Sequence, residues 1–429
     1  MEAYVVYVLN IDGHPLMPTK RFGKVRRMLR DGLAKVVRKE PFTIKLLYEP
    51  KTNVVQDLTL GVDTGSSKIG CAVVNEKQEV LYLSEVEIRN DIKKKMTTRR
   101  NFRRNRRSRK TRYRKVRFLN RHNSTKKGRY SPTLRSKFNS HIREIEFIKK
   151  LLPIKNLILE TASFDTHKLK NPNVRGWGYQ KGTNYGFANS RAHALDRDKY
   201  TCQYCGAKNT RLEVHHIVFR SQGGSDNLDN LITLCEKCHH DLHKGEIRLK
   251  TKRKKKLALK HATQMSIIRC MLLRHYPEAI ETFGYVTKAN REQSGLSKEH
   301  YNDAITIACG CTPKPKILSY LYKKKHVSKG DYQLCKGSRG EIKIPTGKIY
   351  GFRKFDKVEY LGKEYFVKGR ASTGFVILMN ISGDKIDFSN MPRGYKIPKL
   401  ANCKRVAARK VVLCARVKTM PNISEGSKV

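Results

Sequence analysis

The sequence is poor in acidic residues. Its 429 residues include 37 Asp and Glu against 91 Lys and Arg, which gives a formal net charge of +54. Between Ile92 and Arg143 no acidic residue occurs. Charge of one sign at this level opposes folding by self-repulsion unless polyanions neutralise it. Nucleic acid is the natural polyanion, because phosphates that bind Lys and Arg release their counterions. A membrane surface is the alternative.

Long apolar segments are also missing. No run approaches the roughly 18 residues that a membrane-spanning helix requires. The first ten residues, MEAYVVYVLN, alternate like a strand and lack the basic start of a secretory signal peptide. Apolar residues make up 38% of the chain, which suffices for several small cores, and the length suggests two to four domains. We therefore expect a multidomain cytoplasmic protein that binds nucleic acid.

Four of the 11 cysteines form two pairs. Cys202 with Cys205, and Cys235 with Cys238, have the C-x-x-C spacing of zinc knuckles. Four thiolates fill a tetrahedral zinc site without an open position, so we predict a structural zinc ion here. The other seven follow no metal spacing and are expected to be small buried side chains or free thiols: Cys71, Cys270, Cys309, Cys311, Cys335, Cys403 and Cys414.

Histidines lie on both sides of the second cysteine pair. Four residues occur in the order of the HNH nuclease motif: His215, His216, Asn230 and His239. In that motif a strand pair and a helix surround one divalent cation, which neutralises charge at the scissile phosphate while an imidazole activates water. We predict His216 as the general base, with His215 and His239 as metal ligands. We predict that Asn230 ties the intervening loop together by hydrogen bonds.

Two alternatives stay open at this motif. His240 and His243 lie close enough in the sequence to be confused with the predicted ligands. The segment could also be a plain zinc ribbon that binds nucleic acid without cutting it. Such a ribbon does not need the order His-His, Asn, His, so the order favours the nuclease.

Three acidic residues lie near the ends of apolar segments that are far apart in the chain. Asp63 lies in GVDTG, Glu160 in LILET and Asp303 in EHYNDA. His300 precedes Asp303 by three residues and shares its helical face. Taken singly, each acid could be a turn, capping or solvated residue. Together they resemble a ribonuclease-H-like site, in which three carboxylates converge to hold two Mg²⁺ ions.

An arginine-rich segment lies between the first two of these acidic residues. Its arginines are Arg99, Arg100, Arg103, Arg104, Arg106, Arg107, Arg109, Arg112, Arg114 and Arg117. Residues 99–127 include no Gly or Pro, and Phe102, Tyr113 and Val116 share one face if the segment is helical. We predict a helix that binds nucleic acid, because a guanidinium meets phosphate oxygens with two parallel hydrogen bonds. A disordered basic segment or a localisation signal is the alternative.

Six motifs in this order resemble the IscB family, transposon-encoded RNA-guided nucleases related to the CRISPR effectors that carry RuvC and HNH domains. The motifs are PLMP at residues 15–18, GVDTGSSKIG, the arginine run, LILET, VHHI…N…H and EHYNDA. The resemblance covers most of the chain, although the last hundred or so residues match by position alone. The CRISPR relatives commonly have Asp where this chain has His215, which leaves the HNH metal preference open.

The resemblance implies an α+β multidomain fold around a split RNase-H-like (RuvC) core. An arginine-rich bridge helix and a ββα-metal HNH domain carrying the zinc ribbon would be inserted into this core. A small α+β domain would precede the core, and a β-rich domain would follow it. The expected domains are 1–54 (PLMP domain), 55–90 (RuvC-I), 91–127 (bridge helix), 128–170 (RuvC-II), 171–190 (linker), 191–248 (HNH), 249–325 (RuvC-III) and 326–429 (a domain that interacts with the target-adjacent motif or RNA).

The resemblance also implies an RNA-guided DNA endonuclease. The HNH site would cut the guide-paired target strand, and the RuvC carboxylates, helped by His300, would cut the displaced strand. The expected cofactors are two Mg²⁺ in the RuvC site, one Mg²⁺ in the HNH site and structural Zn²⁺. The expected partners are a long structured guide RNA and double-stranded target DNA with a short adjacent motif, with one protein per RNA. The protein would be cytoplasmic in a prokaryote and lie on the nucleoid when bound to its target.

Two other functions stay open. The first is a protein-guided, homing-type HNH endonuclease that reads DNA itself. The second is an RNA-binding transposition accessory protein that does not cut.

Overall fold

The computed structural model describes residues 5–50, 54–108, 130–182, 184–219, 222, 224–249, 259–310, 315–328, 348–392 and 394–419. The chain divides into two compact units. The first unit comprises residues 1–162 and 267–429, and the second comprises residues 163–266. Within the described ranges, no helix combines the length and the apolar character that crossing a membrane requires.

The described residues form a mixed α+β architecture with several sheets. The strands are Tyr7–Leu9 (β1), Ala34–Arg38 (β2), Thr43–Leu46 (β3), Leu58–Thr64 (β4), Lys68–Asn75 (β5), Val80–Glu87 (β6), Ile154–Thr161 (β7), Leu212–His216 (β8), Leu231–Cys235 (β9), Ile280–Phe283 (β10), Tyr320–His326 (β11), Lys357–Tyr360 (β12), Lys363–Arg370 (β13), Val376–Met379 (β14), Lys404–Ala407 (β15) and Val412–Lys418 (β16). The α-helices are Phe22–Arg30 (α1), Ile92–Ser108 (α2), Pro132–Lys149 (α3), Thr166–Lys170 (α4), Ser190–Arg197 (α5), Glu236–Lys244 (α6), Lys260–His275 (α7), Gly284–Gln293 (α8) and His300–Cys309 (α9). The α+β class expected from the sequence is confirmed.

A seven-stranded sheet is the centre of the first unit, with strand order β10-β7-β4-β5-β6-β11-β16. Strands β4, β5 and β6 form an antiparallel meander, while β7 pairs in parallel with β4 and with β10. The central strands are almost wholly buried, because helices cover both faces of the sheet.

Helix α9 packs on one face of the sheet at two glycines. A Cβ atom on Gly61 of β4 would lie 2.5 Å from the carbonyl oxygen of Ala304, and one on Gly70 of β5 would lie 1.9 Å from that of His300. Both distances are shorter than any van der Waals contact, so only glycine lets the helix approach this closely. The two glycines therefore set the position of His300 relative to the strands.

Helix α3 covers the opposite face through a buried polar cluster. Glu144 Oε1 accepts hydrogen bonds from Tyr82 (3.1 Å) and Ser84 (3.0 Å) and forms an ion pair with Nζ of Lys324 at 2.6 Å. Tyr82 and Ser84 alternate with the residues that face α9, as the pleat of a strand requires. A buried carboxylate is stable here because it has three donors, one of which is a cation.

Two smaller sheets belong to the same unit. Strands β1-β3-β2 pack against α1 around an apolar core that includes Val25 and Ile44. Strands β14-β13-β12-β15 enclose a second core that includes Val358 and Tyr360. The C-terminal region is β-rich, and its last strand, β16, returns to pair with β11 at the edge of the central sheet.

The arginine-rich segment begins as a helix. Residues Ile92–Ser108 form α2, in which Arg99, Arg100, Arg103 and Arg104 are exposed. The side chains of Phe102, Arg106 and Arg107 lie outside the description, as do all of residues 109–129. The predictions for Arg109, Arg112, Tyr113, Arg114, Val116 and Arg117 therefore lie outside the described residues.

The second unit is built around the antiparallel hairpin of β8 and β9, followed by α6. Its apolar core combines Ile232 and Leu234 with three of the paired cysteines. Gly245 caps the C-terminus of α6, and its φ of 86° is a left-handed conformation that glycine adopts without strain. Residues 171–190, predicted as a linker, include a short 3-10 helix, Gly176–Gln180.

Candidate functional sites

The histidine motif lies on the hairpin and on α6. His215 and His216 end strand β8, where they pair with Ile232 and Leu231 of β9. Successive side chains of a strand point to opposite faces, so the two histidines face different surroundings. His215 is buried and His216 is half-buried.

Three histidines meet in one cluster, which we call the histidine centre: His215, His239 and His243. One ring nitrogen of each lies within 4.8 Å of the others. The Nε2 atoms of His239 and His243 are 3.2 Å apart, since residues four apart share a helical face. His215 and His239 are thus brought together as predicted, and His243 joins them while His240 does not. The spacing of four residues was the signal that could have selected His243.

The electrostatics of the histidine centre favour the neutral forms of His215 and His239. Burial, and then the neighbouring His239 and His243, lower the pKa of His215 to about 4. Burial also lowers the pKa of His239, although the Glu213 carboxylate opposes this. His239 Nδ1 donates to Oε2 of Glu213 at 2.7 Å, which leaves Nε2 free to face the cluster. Neutral imidazoles held in this way are ligands for a divalent cation.

His216 and Asn230 lie beside the histidine centre and organise the loop between the strands. His216 Nε2 lies 2.8 Å from Oδ1 of Asp226, a contact that the sequence did not predict. The buried Asn230 accepts from the Val218 N–H at 2.9 Å and donates to the carbonyl oxygens of Val218 (3.0 Å) and Ser225 (2.8 Å). Three hydrogen bonds from one amide therefore close the loop that leads from β8 to β9.

The four paired cysteines converge in the same unit. Their sulfur atoms lie within 4.8 Å of one another, and the sulfurs of Cys205 and Cys235 are 3.7 Å apart. Four sulfurs at the usual Zn–S distance of about 2.3 Å in a tetrahedron are separated by about 3.8 Å. The cluster therefore fits a zinc ion.

The predicted carboxylates meet in the first unit, in what we call the carboxylate centre. Asp63 on β4 and Glu160 on β7 are paired positions of neighbouring parallel strands. Helix α9 brings His300, whose Nδ1 lies 2.5 Å from Oδ2 of Asp63, and carries Asp303 in its first turn. A Cβ on Gly284 would lie 3.2 Å from Glu160 Oε1, so the start of α8 also borders the centre.

Burial and like charge perturb the carboxylate centre. Burial raises the pKa of Glu160 to about 7, and the negative charges of Asp63 and Asp303 add to this. Burial also raises the pKa of Asp303, despite an ion pair at 2.8 Å with Arg291, a partner that the sequence did not predict. The hydrogen bond that His300 donates to Asp63 raises the pKa of His300, against the effect of burial. Carboxylates that repel one another in this way are stabilised by a divalent cation.

Comparisons with known proteins found family matches for two segments of the chain. Residues 6–182 match a family model described as RRXRR protein, and residues 202–245 match one described as HNH endonuclease. The first match includes RRNRR at residues 103–107. A 65-residue segment is 32% identical to anaredoxin from Nostoc sp. strain PCC 7120, covering 15% of this chain and 86% of that protein.

A segment of 61 residues is 39% identical to the type IV methyl-directed restriction enzyme EcoKMcrA from Escherichia coli strain K12. The alignment covers 12% of this chain and 22% of that enzyme, so the chain spans about a fifth of the restriction enzyme's length. An RRXRR region followed by an HNH endonuclease domain is the arrangement of the IscB-like nucleases. The two matches fit an IscB-like nuclease, and the HNH domain together with the restriction-enzyme relative supports a metal-dependent DNA endonuclease.

Proposed function

We propose that this chain is an RNA-guided DNA endonuclease whose two centres cut different strands. The proposal is carried by the residues that each compact unit gathers. The second unit brings three histidines together, and the first places Asp63 beside Glu160, with His300 and Asp303 of α9 next to them. The histidine centre would act on the target strand paired to the guide, and the carboxylate centre on the displaced strand. The fit of the RRXRR and HNH matches to an IscB-like nuclease supports this division.

At the histidine centre, His215, His239 and His243 would hold one divalent cation. A cation bound there supplies charge neutralisation at the scissile phosphate. His216 would take the proton from the attacking water as general base. Its Nε2 faces Asp226, and that carboxylate would orient the ring and leave Nδ1 as the proton acceptor. Asn230 would keep the loop closed around the site.

At the carboxylate centre, Asp63, Glu160 and Asp303 would hold two Mg²⁺ ions in an RNase-H-like, or RuvC-type, site. The ions supply activation of the nucleophile and stabilisation of the leaving oxygen when bound. His300 donates to Asp63 and would position that carboxylate or move a proton at the same edge. The RuvC segments would then be separated in the chain by the arginine-rich region and by the HNH unit.

The arginine-rich helix would bind the guide RNA and the guide–target duplex through phosphates. The exposed Arg99, Arg100, Arg103 and Arg104 of α2 support this role, since nothing acidic lies within the helix. The sequence of the target would be read by base pairing, and the protein would read a short adjacent motif. We propose one protein per guide RNA, and structural zinc on the four paired cysteines.

A protein-guided endonuclease is the second candidate, because one matched relative is a restriction enzyme. A single experiment separates the two. Purified protein with Mg²⁺ is incubated with a supercoiled plasmid library that carries one target beside randomised bases, with and without a structured RNA from the flanking DNA. We expect linear product only with the matching RNA. Cleavage without RNA would overturn guidance by RNA, and RNA binding without cleavage would favour the accessory protein.

A further inference from the structure

A pair of exposed aromatic rings lies in the second unit, apart from the metal ligands. Trp177 is 68% exposed and Tyr185 is 58% exposed. Nζ of Lys181 lies 4.3 Å from the centre of the indole ring and 5.4 Å from the centre of the phenol ring. One ammonium group therefore bridges two large rings by cation–π contacts. We call Trp177, Lys181 and Tyr185 the aromatic platform.

The turn that carries Trp177 is held in place by buried and hydrogen-bonded neighbours. Val174 is buried just before the 3-10 turn. Tyr179 donates its hydroxyl to Oδ2 of Asp165 at 2.7 Å, and its ring packs on His167 with ring centres 5.5 Å apart. Asp165 in turn caps helix α4. Because its support is fixed, the indole is presented to solvent in a defined place, and little ordering is needed when it binds a partner.

The chemistry of the platform matches an unpaired nucleotide segment. An exposed aromatic face stacks on any base, and an adjacent ammonium pairs with a phosphate, which is the combination that proteins use to hold single strands. The chain carries a net charge of +54 and acts on DNA, so its partner is a polyanion with bases. A paired duplex hides the base faces that such rings require.

We propose that the aromatic platform binds an unpaired stretch of DNA, with bases stacked on Trp177 and Tyr185 and a phosphate paired with Lys181. The proposal rests on the proposed function only for the source of the unpaired DNA, which would be the displaced strand. The platform would hold that strand on the second unit and keep it from pairing again with its complement.

The test uses Trp177 as its own reporter, because it is the single tryptophan of the chain. The full-length protein, without added Mg²⁺ or guide, is titrated with single-stranded oligodeoxyuridylate and with an abasic strand of equal length and charge. We expect the oligodeoxyuridylate to quench tryptophan fluorescence and the abasic strand to leave it nearly unchanged. Equal quenching by both strands, or none by either, would overturn the proposal.

Substitutions then test whether the preference for a strand with bases depends on Trp177. The affinity advantage of the oligodeoxyuridylate over the abasic strand, measured with labelled strands, should fall about 5- to 100-fold in Trp177→Ala. Trp177→Phe should keep most of it. Tyr200→Ala is the matched control, since Tyr200 is as exposed as Tyr185 and lies in the same unit. An equal loss in Tyr200→Ala would argue against the platform.

The same titration determines whether the aromatic platform binds DNA or RNA. If oligouridylate, with the same base on a ribose, binds markedly tighter than oligodeoxyuridylate, then the occupant is RNA and the assignment to DNA is wrong. The binding measurement needs neither guide RNA nor cleavage. A failure of RNA-guided cutting therefore leaves this result standing, and a failure of stacking leaves the two nuclease centres untouched.

Discussion

The histidine centre and the carboxylate centre use different side chains, but burial and crowding act on the pKa values in both. In both, groups that carry like charge when ionised are crowded together, and burial favours the neutral form of the most enclosed ones. Burial lowers the pKa of His215 to about 4, whereas burial raises the pKa of Glu160 to about 7. The shifts have opposite signs, but both relieve repulsion within a cluster.

The consequence for cation binding differs between the two centres. A neutral imidazole is already the ligand form, so His215 can bind a metal ion without losing a proton. A neutral carboxyl group must first lose its proton, so Glu160 can take up Mg²⁺ only as that proton leaves. At neutral pH His215 is thus ready for a cation, while Glu160 couples cation binding to pH.

The largest expected effect comes from removing the four-cysteine cluster of the second unit. Cys202→Ser should lose zinc and unfold residues 163–266, because structural zinc contributes about 10–16 kcal/mol of apparent binding free energy to folding. Target-strand cleavage should become undetectable. Zinc content by mass spectrometry and proteolysis of the unit measure this. Cys270→Ser, at an exposed cysteine outside the cluster, is the control and should keep its zinc. Full zinc content in Cys202→Ser would refute the assignment.

The next largest effect is the loss of cleavage of one DNA strand when one of the two centres is disabled. Asp63→Ala should lower displaced-strand cleavage, and His216→Ala target-strand cleavage, each by about 10²–10⁴-fold with the other strand still cut. Strand-specific end labels on a guided target measure both rates in one reaction. If either variant cut both strands at the wild-type rate, the assignment of that residue would be wrong.

A smaller effect tests which helical histidine completes the histidine centre. His243→Ala should raise the divalent ion concentration needed for half-maximal target-strand cleavage by about 10- to 100-fold, as the loss of a metal-site contact does. His240→Ala is the matched control, since its side chain is 67% exposed and the residue lies outside the cluster. Equal effects of the two substitutions would count against His243 as a ligand.

The smallest effect is a difference in pH dependence. In His216→Ala, displaced-strand cleavage at subsaturating Mg²⁺ should fall about tenfold per pH unit below about 7, because Glu160 is then protonated. Saturating Mg²⁺ should remove the dependence, since the cation displaces the proton. In Asp63→Ala this Mg²⁺-dependent loss of target-strand cleavage should be smaller, because burial lowers the pKa of His215 to about 4. Rate profiles at two Mg²⁺ concentrations would test this, and identical profiles would contradict it.

Local spacing predicted much of the second unit. The two C-x-x-C pairs and the order His215, His216, Asn230 lie within a short segment whose hairpin and helix bring them together. Their partners Asp226 and Glu213 were missed, because nothing in the spacing says which carboxylate a loop or strand turns towards a given imidazole.

The sequence by itself determined the residue types of both centres, the apolar segments that carry them and the excess of positive charge. These depend on composition and short-range periodicity, which a single sequence shows directly. Only the tertiary structure decided that Asp63 pairs with Glu160, that Arg291 neutralises Asp303 and that α9 rests on Gly61 and Gly70. These contacts join residues up to hundreds of positions apart. They depend on the register of all the strands in the sheet and on the close packing of α9 against it, which short-range patterns do not show.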